Sequence, residues 1–122
     1  MPADLRRIER RLLKVAMSYP EAWEDHPWGE NVVKVGKKIF VFFGEPERGR
    51  LWVGVKLPDA AGFALTFPWA EPSGYGLGKA GWVSCVFTTA DDPPVGLLED
   101  WIDESYRTVA PKKLVKQLDG VT

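Results

Sequence analysis

Residues Val32 to Phe43 read VVKVGKKIFVFF, two runs of β-branched and aromatic residues broken by Gly36-Lys37. Such side chains suit a pleated, half-buried surface, and a short break carrying a glycine is the chemistry of a tight hairpin. The stretch therefore predicts two antiparallel strands. A third strand, RLWVGVKL from Arg50 to Leu57, follows the turn GEPERG and completes a meander. Its alternation is imperfect, as expected where one face is packed and the other only partly wet.

On the N-terminal side of the hairpin, Leu5, Ile8, Leu12, Val15 and Ala16 recur at helical spacing, while Arg6, Arg7, Arg10, Arg11 and Lys14 fall mainly elsewhere. This predicts an amphipathic helix behind an Asp4 cap, with one core face and one cationic face. Tyr19-Pro20 ends it, because the residue before a proline is pushed out of the α region, and the acidic, Trp-rich segment to Glu30 reads as a loop.

On the C-terminal side, DAAGFALTF from Asp59 to Phe67 predicts a short second helix capped by Asp59, weakened by about 1 kcal/mol at Gly62. Pro68 and Pro72 bound another loop. GYGLGKAGWVSCVF then predicts a second hairpin whose return strand is Trp82 to Phe87. Asp91-Asp92-Pro93-Pro94 predicts a helix start, followed by the apolar stripe Leu97, Leu98, Trp101, Ile102, Tyr106 and Val109 and the acidic face Glu99, Asp100, Asp103 and Glu104. Pro111 ends this helix, and KKLVKQL predicts a short basic tail helix. The order α-β-β-β-α-β-β-α implies a single α+β domain over residues 1–122, a two-layer sandwich with helices on an antiparallel sheet of about five strands.

Composition narrows the class. A chain of 122 residues, 45% hydrophobic, closes one core without staples. A formal charge of −1 and a pI near 5.8 lack the global basic excess typical of a dedicated nucleic-acid binder. Cys85 is the single cysteine, which rules out an intrachain disulfide and points to the cytoplasm. Met1 to Lys14 lacks the apolar core of a signal peptide, and no apolar run approaches the roughly 20 residues of a membrane span, so no membrane association is expected.

The one reactive-looking stretch is WEDHPWGE, Trp23 to Glu30, where the only histidine lies among Glu24, Asp25 and Glu30. A hydrolytic zinc site needs three protein ligands, with a second His or a Cys nearby, and this stretch supplies neither. Cys85 lies in an apolar strand and no Gly-x-Ser-x-Gly elbow is present, so no enzyme, metal or cofactor is expected. The stretch instead reads as a rigid Pro27/Gly29 turn in which Trp23 and Trp28 seal the gap between helix and sheet and His26 bonds to backbone or a carboxylate. Gly74, Gly76, Gly78 and Gly81 precede a strand rather than a helix, which favours a hairpin over a phosphate loop.

The basic residues are the remaining lead. Arg6, Arg7, Arg10 and Arg11 lie on the first helix, Lys34, Lys37 and Lys38 around the first hairpin, Arg48, Arg50 and Lys56 near the second turn, and Lys112, Lys113 and Lys116 in the tail. Asp91 to Glu104 contains no Lys or Arg, so the molecule is expected to be a dipole with a cationic side able to neutralise phosphates. The bland alternative is a solvated face with routine pairs such as Asp103–Arg107. An exposed Trp52 or Trp69 beside Lys or Arg would favour stacking of single strands.

The combination of HPWGE after an N-terminal helix, VGKKIFVFF, LWVGVKLP, GKAGWVSCVF and ESYRTVAPKK resembles the MmcQ/YjbR family of small bacterial proteins over nearly the whole chain. That resemblance implies a CyaY-like, secretion-chaperone-like two-layer fold and a DNA-binding label drawn from fold comparison. It casts Arg6, Arg10, Lys34, Lys37, Lys38, Arg48, Arg50, Lys112 and Lys113 as the DNA-contacting set. His26, Pro27, Trp28, Gly29, Gly81, Trp82, Ser105 and Tyr106 become structural landmarks. A protein-interaction module, pairing with a partner or with itself, and a small-molecule domain are the alternatives. FPWAEPSGYGLGK departs from the family, which more often shows Pro-Ala-Tyr there.

Overall fold

The computed structural model describes residues 4–44, 49–74 and 76–120, without the side chain of Trp28. Helix α1, Leu5–Met17, begins at Asp4, whose carboxylate accepts from the Arg7 amide at 3.2 Å. Strands β1 (Ala22–Asp25), β2 (Asn31–Val35), β3 (Lys38–Gly44) and β4 (Arg50–Lys56) follow. Next come α2 (Ala61–Ala64), β5 (Ala70–Pro72), β6 (Trp82–Thr88), α3 (Val95–Val109) and α4 (Lys112–Leu118), with 3-10 turns at Pro27–Gly29 and Leu77–Ala80. The sheet is antiparallel throughout and has six strands in the order β1-β2-β3-β4-β6-β5.

The predicted hairpin is present. Val35 pairs with Lys38 across the two-residue turn Gly36-Lys37, where Gly36 holds φ +62°, a left-handed value that a side chain disfavours. Two predictions are corrected on the sheet's flanks. Ala22–Asp25, read as loop, is an edge strand paired with β2, because β2 offers a free row of backbone groups. The second hairpin begins at Ala70–Pro72, inside the predicted loop, and the glycine-rich segment after it forms a 3-10 turn.

Helix starts differ from expectation in their capping. Asp59 does not cap α2; the Glu104 carboxylate of α3 accepts from the amides of Asp59 and Ala60 at 3.1 and 3.2 Å. Asp91 does not cap α3 either, since its carboxylate accepts from the Thr88 amide at 2.7 Å and the helix begins four residues later. At α2 an acceptor from another helix replaces the predicted one, and at α3 the predicted acceptor is taken by a nearer donor.

Register separates the two faces of the sheet. Val33, Val41, Val53, Val55, Val83, Cys85 and Phe87 join one core cluster with Leu12, Ala16, Leu98, Ile102, Tyr106 and Leu114 of the helices. Extra residues on β3 at Phe40 and Phe43, where its pairing with β2 shifts, send both rings into that core beside Val41. Val32 and Trp82 are also buried but lie outside this cluster, on the opposite face.

The run Glu104-Ser105-Tyr106-Arg107 joins α3 to five other parts of the chain. Glu104 holds the start of α2, as above. The Ser105 hydroxyl donates to the Phe40 carbonyl at 2.5 Å and accepts from the Lys56 amide at 2.9 Å, bridging β3 and β4. Tyr106 donates to the Pro20 carbonyl at 2.7 Å and packs edge-on against Phe40. Arg107 grips Asp103 at 2.7 Å and Asp119 through two hydrogen bonds of 2.9 and 2.7 Å, tying down the end of α4.

Candidate nucleic-acid interface

The apolar residues of α1 face the core, which forces its cations outward. At about 100° per residue, Arg6, Arg7, Arg10, Arg11 and Lys14 fall within one arc of about 140°. All five are exposed. Arg11 reaches Glu99 of α3 at 3.1 Å and, among the described residues, is the one member held in a salt bridge. Glu9 beside them is raised by burial, opposed by Arg6, so the acid on this helix sits toward the protein rather than in the stripe.

A second surface is the face of the sheet turned away from the helices. In register across it lie Trp23, Lys34 and Ile39; then Asp25, Val32, Phe42, Gly54, Ser84 and Glu71; then Lys56 with Trp82, Trp52 with Val86, and Arg50 with Thr88. Phe42 and Trp82 meet edge to face, with centroids 5.4 Å apart. Gly54 makes room for this, since a Cβ there would stand 3.2 Å from the Phe42 Cβ. Trp23 and Trp52 remain 43% and 40% exposed. The Trp23 indole N–H is fixed to the Gly36 carbonyl at 2.9 Å, and Lys34 stands over its ring while pairing with Asp25 at 2.7 Å. This pair and the bond from the His26 amide lower the Asp25 carboxyl below its ordinary range.

The expectation for Trp23 is therefore corrected: it lies on the outer sheet face instead of sealing the helix–sheet gap, because its residue parity in β1 turns it away from the core. Trp69, the other tryptophan considered for stacking, packs into the core against Phe67, Phe87 and Trp101. His26 is exposed; its Nδ1 lies 2.7 Å from Asn31 Oδ1 and its Nε2 3.2 Å from Glu24 Oε2. These contacts close the turn, and no cluster of three or more metal-ligating side chains occurs among the described residues.

The eight described residues of the nine predicted contacts do not form one surface. Arg6 and Arg10 belong to the α1 stripe, Lys34 and Arg50 to the outer sheet face, Lys37 and Lys38 to the hairpin end, and Lys112 and Lys113 to the exposed side of α4. Arg48 lies outside the described residues. What sequence reasoning missed is the outer face as a unit, because pairing four strands in register is a tertiary event. Alternation within RLWVGVK alone hinted that Arg50, Trp52 and Lys56 share a side.

The fold and these surfaces define a two-layer α+β protein whose helices pack on one face of an antiparallel sheet, with Trp23 and Trp52 exposed on the other. The chain belongs to the YjbR family, whose model matches residues 17–108. The match covers the whole sheet and most of α3, while the cationic stripe of α1 precedes it. Among curated proteins, none matches the chain. No helix among the described residues is long and apolar enough to cross a membrane.

Proposed function

We propose that this YjbR-family chain is a non-enzymatic, cytoplasmic nucleic-acid-binding protein in which α1 supplies the phosphate contacts. The observation that carries the reading is the single 140° arc, at about 100° per residue, of five exposed cations with one carboxylate partner in a salt bridge among the described residues. A cationic helix face neutralises phosphates and releases counterions whatever the net charge of the remainder of the protein. The DNA-binding label that attaches to the family by resemblance agrees with it.

Binding of a fluorescent random-sequence duplex, followed by anisotropy as salt rises, tests the reading. The affinity should fall steeply with salt, and Arg6→Glu with Arg10→Glu should weaken binding and reduce the slope by about one for each phosphate no longer neutralised. Undetectable binding at low salt, or an affinity indifferent to salt, would remove the proposal.

A second reading, as a protein-interaction module, is favoured by one feature: Phe63 and Leu65 are 57% and 41% exposed beside the Phe67 ring. Sedimentation tests it through self-association that Phe63→Ser abolishes.

A further inference from the structure

We propose that the outer face of the sheet is a platform for single-stranded nucleic acid, with Trp52 as its principal base-stacking side chain. The proposal rests on the nucleic-acid reading above but places the ligand on the opposite side of the molecule from α1.

Charge selects the occupant. On this face the four inner strands, β2, β3, β4 and β6, carry Lys34, Arg50 and Lys56 and no carboxylate. The two acids in register with them, Asp25 and Glu71, stand on the edge strands; Asp25 and Lys34 neutralise each other, so the cations that bear on the occupant are Arg50 and Lys56 of β4, on either side of Trp52 and set against Glu71 on the edge. A protein or a second copy docking through an apolar patch prefers a core poor in charge, whereas cations interleaved with aromatic rings fit a polyanion bearing flat bases.

Geometry supports the same occupant. Trp52 lies against Gly44, with its Cβ and Cγ 3.5 Å from where a Gly44 Cβ would be, and it is 40% exposed. Arg50 flanks it on the same strand face, and Lys56 stands six residues from Arg50, about 20 Å along an extended strand. That span accommodates a few nucleotides, with Trp52 between two cations. Duplex bases are stacked on one another and offer no free face to a tryptophan on a flat sheet, so the chemistry favours a single strand, as on other open sheets that present aromatic rings to unstacked bases.

The test compares a fluorescent dT10 oligonucleotide with a duplex of the same length on wild type, Trp52→Ala, Trp52→Phe and the Arg6→Glu/Arg10→Glu double variant. Expected are tighter binding of dT10 than of duplex, a loss of about tenfold in dT10 affinity for Trp52→Ala, partial recovery in Trp52→Phe, and duplex binding unchanged by either. Unchanged thermal melting of Trp52→Ala shows that the exposed site was altered without unfolding the protein. If dT10 affinity is the same in Trp52→Ala while the α1 double variant loses it, the platform is wrong and the α1 reading stands. If neither nucleic acid binds wild type, both fail. If wild type sediments as a dimer that Trp52→Ala dissociates, the occupant is a second copy and the platform is overturned.

Discussion

The Ser105 hydroxyl lies 2.5 Å from the Phe40 carbonyl oxygen, inserted where the ladder between β3 and β4 ends. Ser105 is wholly buried, and its oxygen also accepts the Lys56 amide, so one hydroxyl satisfies two backbone groups just beyond the last β3–β4 pair, Val41 with Val55. A helix side chain thereby completes the sheet.

Ser105→Ala should therefore cost more than a typical hydrogen bond. Removing the hydroxyl leaves a carbonyl and an amide without their partner, about 1–3 kcal/mol for such a loss. Urea denaturation should show a lower midpoint with an unchanged slope. A midpoint within error of wild type would mean that water or local rearrangement replaces the bridge.

Tyr106 separates a polar from an apolar contribution. Tyr106→Phe loses only the bond to the Pro20 carbonyl, roughly 1 kcal/mol, and keeps the ring against Phe40 and Tyr19. Tyr106→Ala also loses a fully buried ring and should cost about 3–5 kcal/mol. Thermal melting of the two variants measures the difference, and equal costs would contradict this division.

Tyr19 links stability to alkaline pH. Burial, and then its hydrogen bond to Asp103, hold its hydroxyl above the ordinary phenol range. A folded-state value raised above the unfolded one contributes stability fully present below the unfolded value near 10 and lost as pH rises through the folded value. Tyr106 is shifted the same way. Denaturation midpoints at pH 8 and pH 11 should differ more in wild type than in Tyr19→Phe; an identical pH dependence would sink the assignment.

Cys85 should be silent in the native protein. It is fully buried in β6, and burial pushes its thiol up to about 12, so little thiolate exists at neutral pH and reagents lack access. Labelling by an aromatic disulfide should occur only at the rate of unfolding. Rapid labelling of the folded state would show that β6 opens locally.

Gly81→Ala tests the join between β4 and β6. Gly81 holds φ +92°, and an added Cβ would stand 3.3 Å from the Leu57 and Pro58 backbone, which cannot yield as a flexible side chain can. A cost of about 1–3 kcal/mol is expected from the strained backbone alone. Melting within a degree of wild type would contradict it.

Local sequence determined much of this protein. The hairpin at Gly36-Lys37, the amphipathic α1 with its Asp4 cap, the strand at Trp82, the apolar stripe of α3 and the basic tail helix follow from spacing and turn chemistry acting over a few residues. So does the Asp103–Arg107 pair, one helical turn apart.

Tertiary structure decided what depends on partners distant in the chain. β1 is a strand because β2 offers a free edge, and α2 is capped from α3 because Glu104 lies 44 residues away in sequence from Ala60 but within hydrogen-bond reach. Register decided the candidate surfaces in the same way. It gathered Trp52, Lys34, Lys56 and Arg50 on one face, since strand pairing fixes which side chains share a face and residue order alone does not.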